Sequence, residues 1–170
     1  MNDRDWLTTQ YLPKLNGRIL YIGVNDYTSH YHNLVGEGSR YESLDCCPIR
    51  SAHGSTSAKH HTMFLKDFED KDLFDHVSMH GCHGHVGHKI DNSSILSDVS
   101  KADSLVKVGG TFQFGPTCSK IMAFQESFWE DLIRDNPIFQ KYETLYSEAV
   151  EWGHNSPDKN YIWWGRKLEE

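Results

Sequence analysis

Histidine side chains are concentrated in the first half of the chain. Of the 11 histidines in 170 residues, all except His154 lie between His30 and His88. The densest group contains five side chains that can bind a metal or move a proton: His80, Cys82, His83, His85 and His88. Structural zinc sites usually take paired ligands from two separated segments, whereas this group is confined to one short stretch. A histidine has an ordinary pKa near 6.5 and also suits general-base catalysis. The segment therefore predicts a catalytic His80 or His83, a metal site, or merely a polar loop.

Carboxylates follow two segments that have the character of β-strands. Asp45 ends the predicted strand 41–45, and Asp67 follows the predicted strand 61–65. Open α/β sheets bind ligands outside the carboxyl ends of their strands, so both carboxylates are candidates for ligand binding. The alternative for Asp45 is the N-cap of a helix that starts at Cys46-Cys47-Pro48. The alternative for Asp67 is an acidic surface loop.

The pattern of apolar residues predicts the elements that would position these groups. Residues 18–24 form a continuous apolar run that contains a glycine, which is typical of a buried parallel strand. Further strands are predicted at 41–45, 61–65, 73–79 and 111–114, and two closing strands at 142–152 and 161–168. Helices are predicted at 3–12, 29–36, 95–105 and around 124–133, with Gly109-Gly110 as the cap that ends the third of them.

This alternation of strands and helices predicts an α/β three-layer sandwich. Its central sheet would be mainly parallel, with an antiparallel hairpin at the C-terminal end. Such sheets bind ligands outside the carboxyl ends of their strands, at the point where the strand order reverses. Four residues are expected at those ends: Gly23, Asp45, Asp67 and His80.

Composition and charge exclude several classes of protein. Hydrophobic residues make up 38% of the chain, enough for one core, so we expect a single domain over 1–170 with 1–17 as an N-terminal helical extension. The first residues have no basic-then-apolar signal pattern, so a cytoplasmic location and free thiols at the four cysteines are expected. The formal net charge of -7 does not favour binding to nucleic acid through phosphate contacts, and no membrane span is expected.

The pattern also predicts the exposure of two pairs of adjacent ring side chains. His60-His61 is predicted to precede the third strand and to lie at the surface. Trp163-Trp164 occupies alternate faces of the last strand, so one ring is predicted to be buried and the other exposed or at an interface.

Several segments together resemble one known family. They are Arg18-Ile-Leu-Tyr-Ile-Gly23, Glu42-Ser-Leu-Asp45, Phe74-Asp75-His-Val-Ser-Met and Leu105-Val-Lys-Val-Gly-Gly-Thr-Phe-Gln-Phe. In this order and spacing they resemble the class I S-adenosylmethionine-dependent methyltransferases over about 15–168. The resemblance implies a Rossmann-like fold, S-adenosylmethionine as the cofactor, and methyl transfer to a small molecule or a protein side chain.

The resemblance also implies a set of site residues. Gly23, Asn25 and Tyr27 occupy the cofactor loop, Asp45 would hold the ribose, and Asp67 with Phe68 would contact the adenine. The loop after the fourth strand, which contains His80 and His83, would face the transferred methyl group.

The cofactor loop departs from the family pattern. Asn25 and Tyr27 stand where the family has glycines that let the backbone pass close to the cofactor. The sequence therefore leaves a second hypothesis, a methyltransferase-like domain that has lost catalysis and binds a partner or a nucleotide. A third hypothesis, a histidine-rich metal-binding module, depends on the cluster from His80 to His88 alone.

Overall fold

A computed structural model describes residues 7–11, 14–23, 40–45, 59–81, 92–117, 126–151 and 159–170. Their strands are β1 (Arg18–Ile22), β2 (Arg40–Asp45), β3 (Lys59–Thr62), β4 (Phe74–Gly81), β5 (Val106–Thr117), β6 (Tyr142–Glu151) and β7 (Lys159–Lys167). Their α-helices are α1 (Asn92–Ser104), α2 (Glu126–Asp135) and α3 (Pro137–Gln140), with a π-helical turn at Leu7–Tyr11 and a 3₁₀ turn at Leu65–Asp67. Within these residues, no helix is long and apolar enough to cross a membrane.

The seven strands form one mixed sheet in the order β3-β2-β1-β4-β5-β7-β6. The five strands from β3 to β5 are parallel to their neighbours, and β7 is antiparallel to both β5 and β6. The chain builds outward from β1 in one direction to β3, then returns to place β4 on the other side of β1. The predicted mainly parallel sheet with a C-terminal antiparallel hairpin is confirmed, and the strand order reverses between β1 and β4.

Successive side chains of β1 point to opposite faces of the sheet, so each face carries its own core. On one face, Leu20 and Ile22 belong to a cluster that includes Val99 and Ala102 of α1. On the other face, Ile19 and Tyr21 belong to a cluster that includes Tyr11 of the π-helical turn. We call these the α1 face and the Tyr11 face. Helical segments therefore cover both faces, as a three-layer sandwich requires.

Most predicted elements are confirmed where the structure describes them. The continuous apolar run became the central strand β1, and the strands predicted at 41–45, 73–79, 142–152 and 161–168 correspond to β2, β4, β6 and β7. The helix predicted at 95–105 is α1, and that around 124–133 is α2. The helix predicted at 29–36 lies outside the described residues, as do the four cysteines.

The third strand lies earlier than predicted. β3 spans Lys59–Thr62, so His60 and His61 are inside the strand and half-buried rather than at the surface before it. Each ring is bonded to β2, His60 Nδ1 to Ser43 Oγ at 2.8 Å and His61 Nε2 to Glu42 Oε1 at 2.9 Å. These polar partners allow two histidines to pair in a sheet, which their hydropathy alone does not predict.

The Gly109-Gly110 pair does not end a helix, as the sequence had suggested. Helix α1 stops at Ser104, and Phe74 N donates to Leu105 O at 2.8 Å, so pairing with β4 starts before the glycines are reached. Phe74 pairs with Val106 and His76 with Thr111, so β5 bulges between these pairs. Gly109 has a φ of +85°, a conformation that favours glycine.

Both tryptophans of β7 are buried, which corrects the expectation that one would be exposed. Trp163 lies in the core of the α1 face, and Trp164 lies in that of the Tyr11 face. The ring centroids of Trp164 and Tyr11 are 5.2 Å apart with an edge-to-face geometry. The N-terminal turn therefore covers a ring that the isolated strand would have exposed.

Candidate functional site

Gly23 makes the chain leave the sheet directly after β1. Its φ is +80°, and its amide donates to Leu44 O of β2 at 2.9 Å. Ile22 pairs with Leu44, so Gly23 lies beside Asp45 at the carboxyl edge of the sheet. A residue with a Cβ would be strained in this conformation, which explains glycine at this position.

Asp45 is the last residue of β2 and lies between the ends of β1 and β3. It pairs with Thr62, and its carbonyl accepts a hydrogen bond from Met63 N at 3.0 Å. The residue is only 1% exposed. The predicted position at a strand end is therefore confirmed, but a ribose can reach this carboxylate only if the surrounding residues move. The alternative hypothesis, in which Asp45 caps a helix that starts at Cys46, concerns residues outside those that the structure describes.

His80 belongs to β4 rather than to the loop that was predicted after it. Strand β4 continues to Gly81, which pairs with Thr117 of β5. Met79 pairs with Ile22, so the backbone of His80 lies at the level of Gly23 on the neighbouring strand. Gly23, Asp45 and His80 consequently occupy three adjacent strands, β1, β2 and β4, at one edge of the sheet. His83, Asn25 and Tyr27 lie outside the described residues, and their roles stay predictions.

Asp67 and Phe68 have different environments, although they are neighbours in sequence. Asp67 ends the 3₁₀ turn and is exposed, whereas Phe68 is buried in the core of the α1 face. The Phe68 ring lies 4.8 Å from that of His61 and 6.3 Å from that of Phe74, measured between centroids. Packing therefore accounts for Phe68 in this structure, and the contacts of both residues with an adenine stay predictions.

An exposed apolar pair beside Asp45 was not anticipated from the sequence. Met63 and Phe64 directly follow β3 and are 36% and 39% exposed. Lys66 places its ammonium 5.7 Å from the centroid of the Phe64 ring. The run of three apolar residues, Met63-Phe64-Leu65, is the sequence feature that could have indicated this pair. The short turn buries Leu65 and leaves the two preceding side chains exposed. Such a pair can cover one face of a flat aromatic group.

A row of buried polar side chains lies two residues below the candidate site on the Tyr11 face. Tyr21, Ser78 and Gln113 pair across β1, β4 and β5. Ser78 Oγ donates to Gln113 Oε1, and Gln113 Nε2 donates to Gly115 O. Burial raises the pKa of Tyr21, so its phenol stays protonated at all ordinary pH values. The side chains next to the carboxyl edge on this face are therefore uncharged and hydrogen-bonded.

Comparison with known proteins shows the fold. No protein-family profile matches the chain, and no curated protein matches its sequence. Among solved structures, the N-methyltransferase NodS from Bradyrhizobium japonicum WM9, in complex with S-adenosyl-L-homocysteine, superposes with a TM-score of 0.68 at 13% identity, over 96% of this chain and 83% of NodS. A didemethyltoxoflavin N1-methyltransferase from Burkholderia thailandensis with bound S-adenosylhomocysteine gives a TM-score of 0.63 at 11% identity, over 91% of this chain and 72% of that one.

A third similar structure is the magnesium protoporphyrin IX methyltransferase ChlM from Synechocystis PCC 6803 with bound SAM. Its TM-score is 0.61 at 11% identity, with 91% of this chain and 72% of ChlM covered. These likenesses agree with the strand order and with the C-terminal hairpin described above. The chain therefore has the Rossmann-like fold of class I S-adenosylmethionine-dependent methyltransferases.

Proposed function

We propose that the chain is an S-adenosylmethionine-dependent methyltransferase that acts on a small molecule or a protein side chain. The observation that carries the proposal is the convergence of Gly23, Asp45 and the His80 backbone on adjacent strands at the edge where the strand order reverses. Open α/β sheets bind their ligands at this point. Similar structures that hold SAM or S-adenosylhomocysteine support the choice of cofactor.

The residues at this edge have the chemistry that the cofactor requires. The Asp45 carboxylate can accept hydrogen bonds from both ribose hydroxyls, and Gly23 turns the backbone without a side chain in the way. The exposed Met63 and Phe64 next to Asp45 offer an apolar surface for the adenine ring. Because Asp45 is covered, binding must be accompanied by a rearrangement of the residues around it.

When bound, S-adenosylmethionine supplies an activated methyl group, so the protein mainly has to orient the acceptor and remove its proton. His80 lies near the end of β4 at this edge, and His83 comes three positions later in the chain. We assign the base to one of these two histidines.

A binding domain without catalytic activity is the second candidate function. Two observations favour it: the covered carboxylate of Asp45, and the replacement of two loop glycines by Asn25 and Tyr27. Such a domain would bind a nucleotide or a protein partner at the same edge.

Calorimetric titration with S-adenosylhomocysteine, followed by a transfer assay with methyl-labelled S-adenosylmethionine, separates the two functions. The proposal predicts saturable binding and transfer of label to a small molecule or protein acceptor. Binding without transfer to any acceptor would favour the binding domain. Absence of binding at millimolar ligand would contradict both the proposed cofactor and the proposed reaction.

A further inference from the structure

The amino edge of the sheet, opposite the candidate cofactor site, contains a cavity. Its volume is about 480 Å³, within the range of small-molecule sites. The cavity is lined by the segment before β1, the first residues of β4 and β5, and the end of β7. Its charged and polar lining includes Lys14, Asn16, Asp75, Lys107 and Arg166.

Asp75 is the one carboxylate among the described residues that line this cavity, and both of its oxygens are already bound. Lys107 Nζ lies 2.6 Å from Asp75 Oδ1, and the Arg18 amide donates to Asp75 Oδ2 at 2.8 Å. Asp75 and Lys107 therefore offset each other's charge. Among the described residues, Lys14 and Arg166 make no ion pair, and Lys14 lies 5.5 Å from the Trp164 ring centroid. Two positive charges are left at one cavity of a chain whose net charge is -7.

Two glycines let the backbone pack closely against Asp75 at this cavity. A Cβ on Gly110 would come within 2.8 Å of Asp75 O, and a Cβ on Gly17 would collide with the Asp75 carboxylate. The bulge of β5 brings Lys107 over to Asp75 and exposes Val108 at the rim. Bulges of this kind often occur beside functional sites, where they redirect a side chain.

We propose that this cavity binds the phosphate group of a small phosphorylated molecule, with Lys14 and Arg166 as its cationic contacts. A phosphate monoester carries close to two negative charges at neutral pH and so matches two free cations, whereas a carboxylate carries one. The planar guanidinium of Arg166 can donate two parallel hydrogen bonds to phosphate oxygens, and the Lys14 ammonium adds a point charge. A volume of about 480 Å³ is large enough for a small phosphorylated molecule.

In the test, the full chain is titrated with inorganic phosphate and with glycerol 3-phosphate at constant ionic strength. The chemical shifts of its backbone amides are measured by NMR at each step. We expect saturable shifts of the amides in 107–111 with both ligands. The double variant Lys14→Gln/Arg166→Gln should bind roughly tenfold or more weakly. The matched control, Lys66→Gln/Lys71→Gln, removes the same charge from exposed residues outside the cavity and should bind like the wild type. Thermal unfolding checks that both variants are folded.

Several results would overturn the proposal. Shifts that do not saturate at millimolar phosphate, or an equal loss in both double variants, would show that only general charge screening is present. Acetate that binds as well as phosphate would contradict selection of a dianion, and a preference for an oligonucleotide over glycerol 3-phosphate would contradict a small ligand. Binding of S-adenosylhomocysteine should be unchanged in the Lys14→Gln/Arg166→Gln variant, so the outcome does not depend on the proposed methyltransferase activity.

Discussion

The two edges of the sheet are built from different interactions. At the amino edge, side-chain ion pairs connect elements that are distant in sequence. Arg18 at the start of β1 is bonded to Glu42 of β2 at 2.7 Å and to Asp70 of the loop before β4 at 2.6 Å. Its guanidinium carbon also lies 4.0 Å from the centroid of the Phe74 ring. This single residue therefore fixes the start of the sheet to the acidic loop that precedes β4.

A second network closes the same edge at the C-terminal hairpin. Lys167 at the end of β7 is 1% exposed, and its ammonium donates to Asp103 O and Val106 O at 3.1 Å each. The Asp103 carboxylate at the end of α1 faces Lys167 at 3.3 Å and accepts from the Tyr142 hydroxyl at 2.7 Å. A buried cation is thus neutralised by a carboxylate and bound by one carbonyl at the end of α1 and one at the start of β5.

The carboxyl edge is held mainly by backbone hydrogen bonds in the part of the chain that the structure describes. Gly23 to Leu44 and Met63 to Asp45 connect the strand ends there. The ion pairs of Arg18 and Lys167 at the amino edge therefore serve stability, whereas the role proposed for Asp45 at the other edge is ligand binding. Substitutions should therefore separate by edge, into those that alter folding and those that alter cofactor binding.

The largest expected effect is the loss of the general base at the carboxyl edge. His80→Ala or His83→Ala should lower methyl transfer by roughly 10²–10⁴-fold, because the acceptor proton then lacks a positioned base. Binding of S-adenosylhomocysteine should be retained in the variant that loses turnover. Rates are measured with saturating cofactor. Wild-type turnover in both variants would remove the histidines from the mechanism.

The next largest effect is expected at the amino edge. Lys167→Met should lower the free energy of unfolding by about 3 kcal/mol, because Asp103 O and Val106 O lose their buried donor and the Asp103 carboxylate loses one of its partners. Lys141, which also contacts Asp103 at 2.5 Å but is more exposed, provides the matched control. Lys141→Met should cost less in urea denaturation. An equal cost for the two variants would contradict the importance of burial.

Asp45→Asn should separate binding from folding at the carboxyl edge. The amide keeps the shape but accepts weaker hydrogen bonds, so affinity for S-adenosylhomocysteine should fall roughly tenfold to hundredfold. Glu69→Gln removes an exposed carboxylate from the loop before β4 and should leave the affinity unchanged. Calorimetry measures both. Unaltered affinity in the Asp45 variant would assign this carboxylate to a structural role.

The last effect is absent at neutral pH, appears only on acidification and depends on His76. This ring is buried on the Tyr11 face, bonded to Thr111 Oγ1 at 2.6 Å and to the Tyr11 hydroxyl. Burial lowers the pKa of His76 from 6.5 to about 3. Because the unfolded chain then binds the extra proton, stability that is complete above pH 6.5 is lost as the pH falls towards 3, by about 1.4 kcal/mol per pH unit.

The variant His76→Gln tests this dependence. Its free energy of unfolding should fall less steeply than that of the wild type between pH 6.5 and pH 4, measured by urea denaturation at each pH. Parallel curves for the two proteins would show that His76 does not titrate on unfolding.

The sequence predicted those parts of the fold that depend on short stretches of apolar residues. The run that became β1 and the Phe74-Asp75 and Lys107-Val-Gly-Gly segments placed the central strands, and Asp45 and Gly23 followed from the ends of these strands. The third strand was misplaced because His60 and His61 are polar, and only their bonds to β2 make them strand residues.

Contacts between distant segments could not be predicted in this way. Trp164 is buried because Tyr11 packs on it from the other end of the chain, and no local pattern contains that information. His76 was one of many histidines in the sequence, but its pairing with Ile19 places it on the buried Tyr11 face. The glycines of β5 are compatible with a helix cap or with a bulge, and the early hydrogen bond of Leu105 to β4 decides between them.

The most direct test of the central claim is an experimental structure of the chain in complex with S-adenosylhomocysteine. We expect the ribose hydroxyls to lie within hydrogen-bonding distance of the Asp45 carboxylate, with the ligand beside the Gly23 turn and the end of β4. We also expect Asp45 to be more exposed to the ligand than it is to solvent in the present structure. A ligand bound at another edge of the sheet, or a ribose without contact to Asp45, would contradict the proposed site.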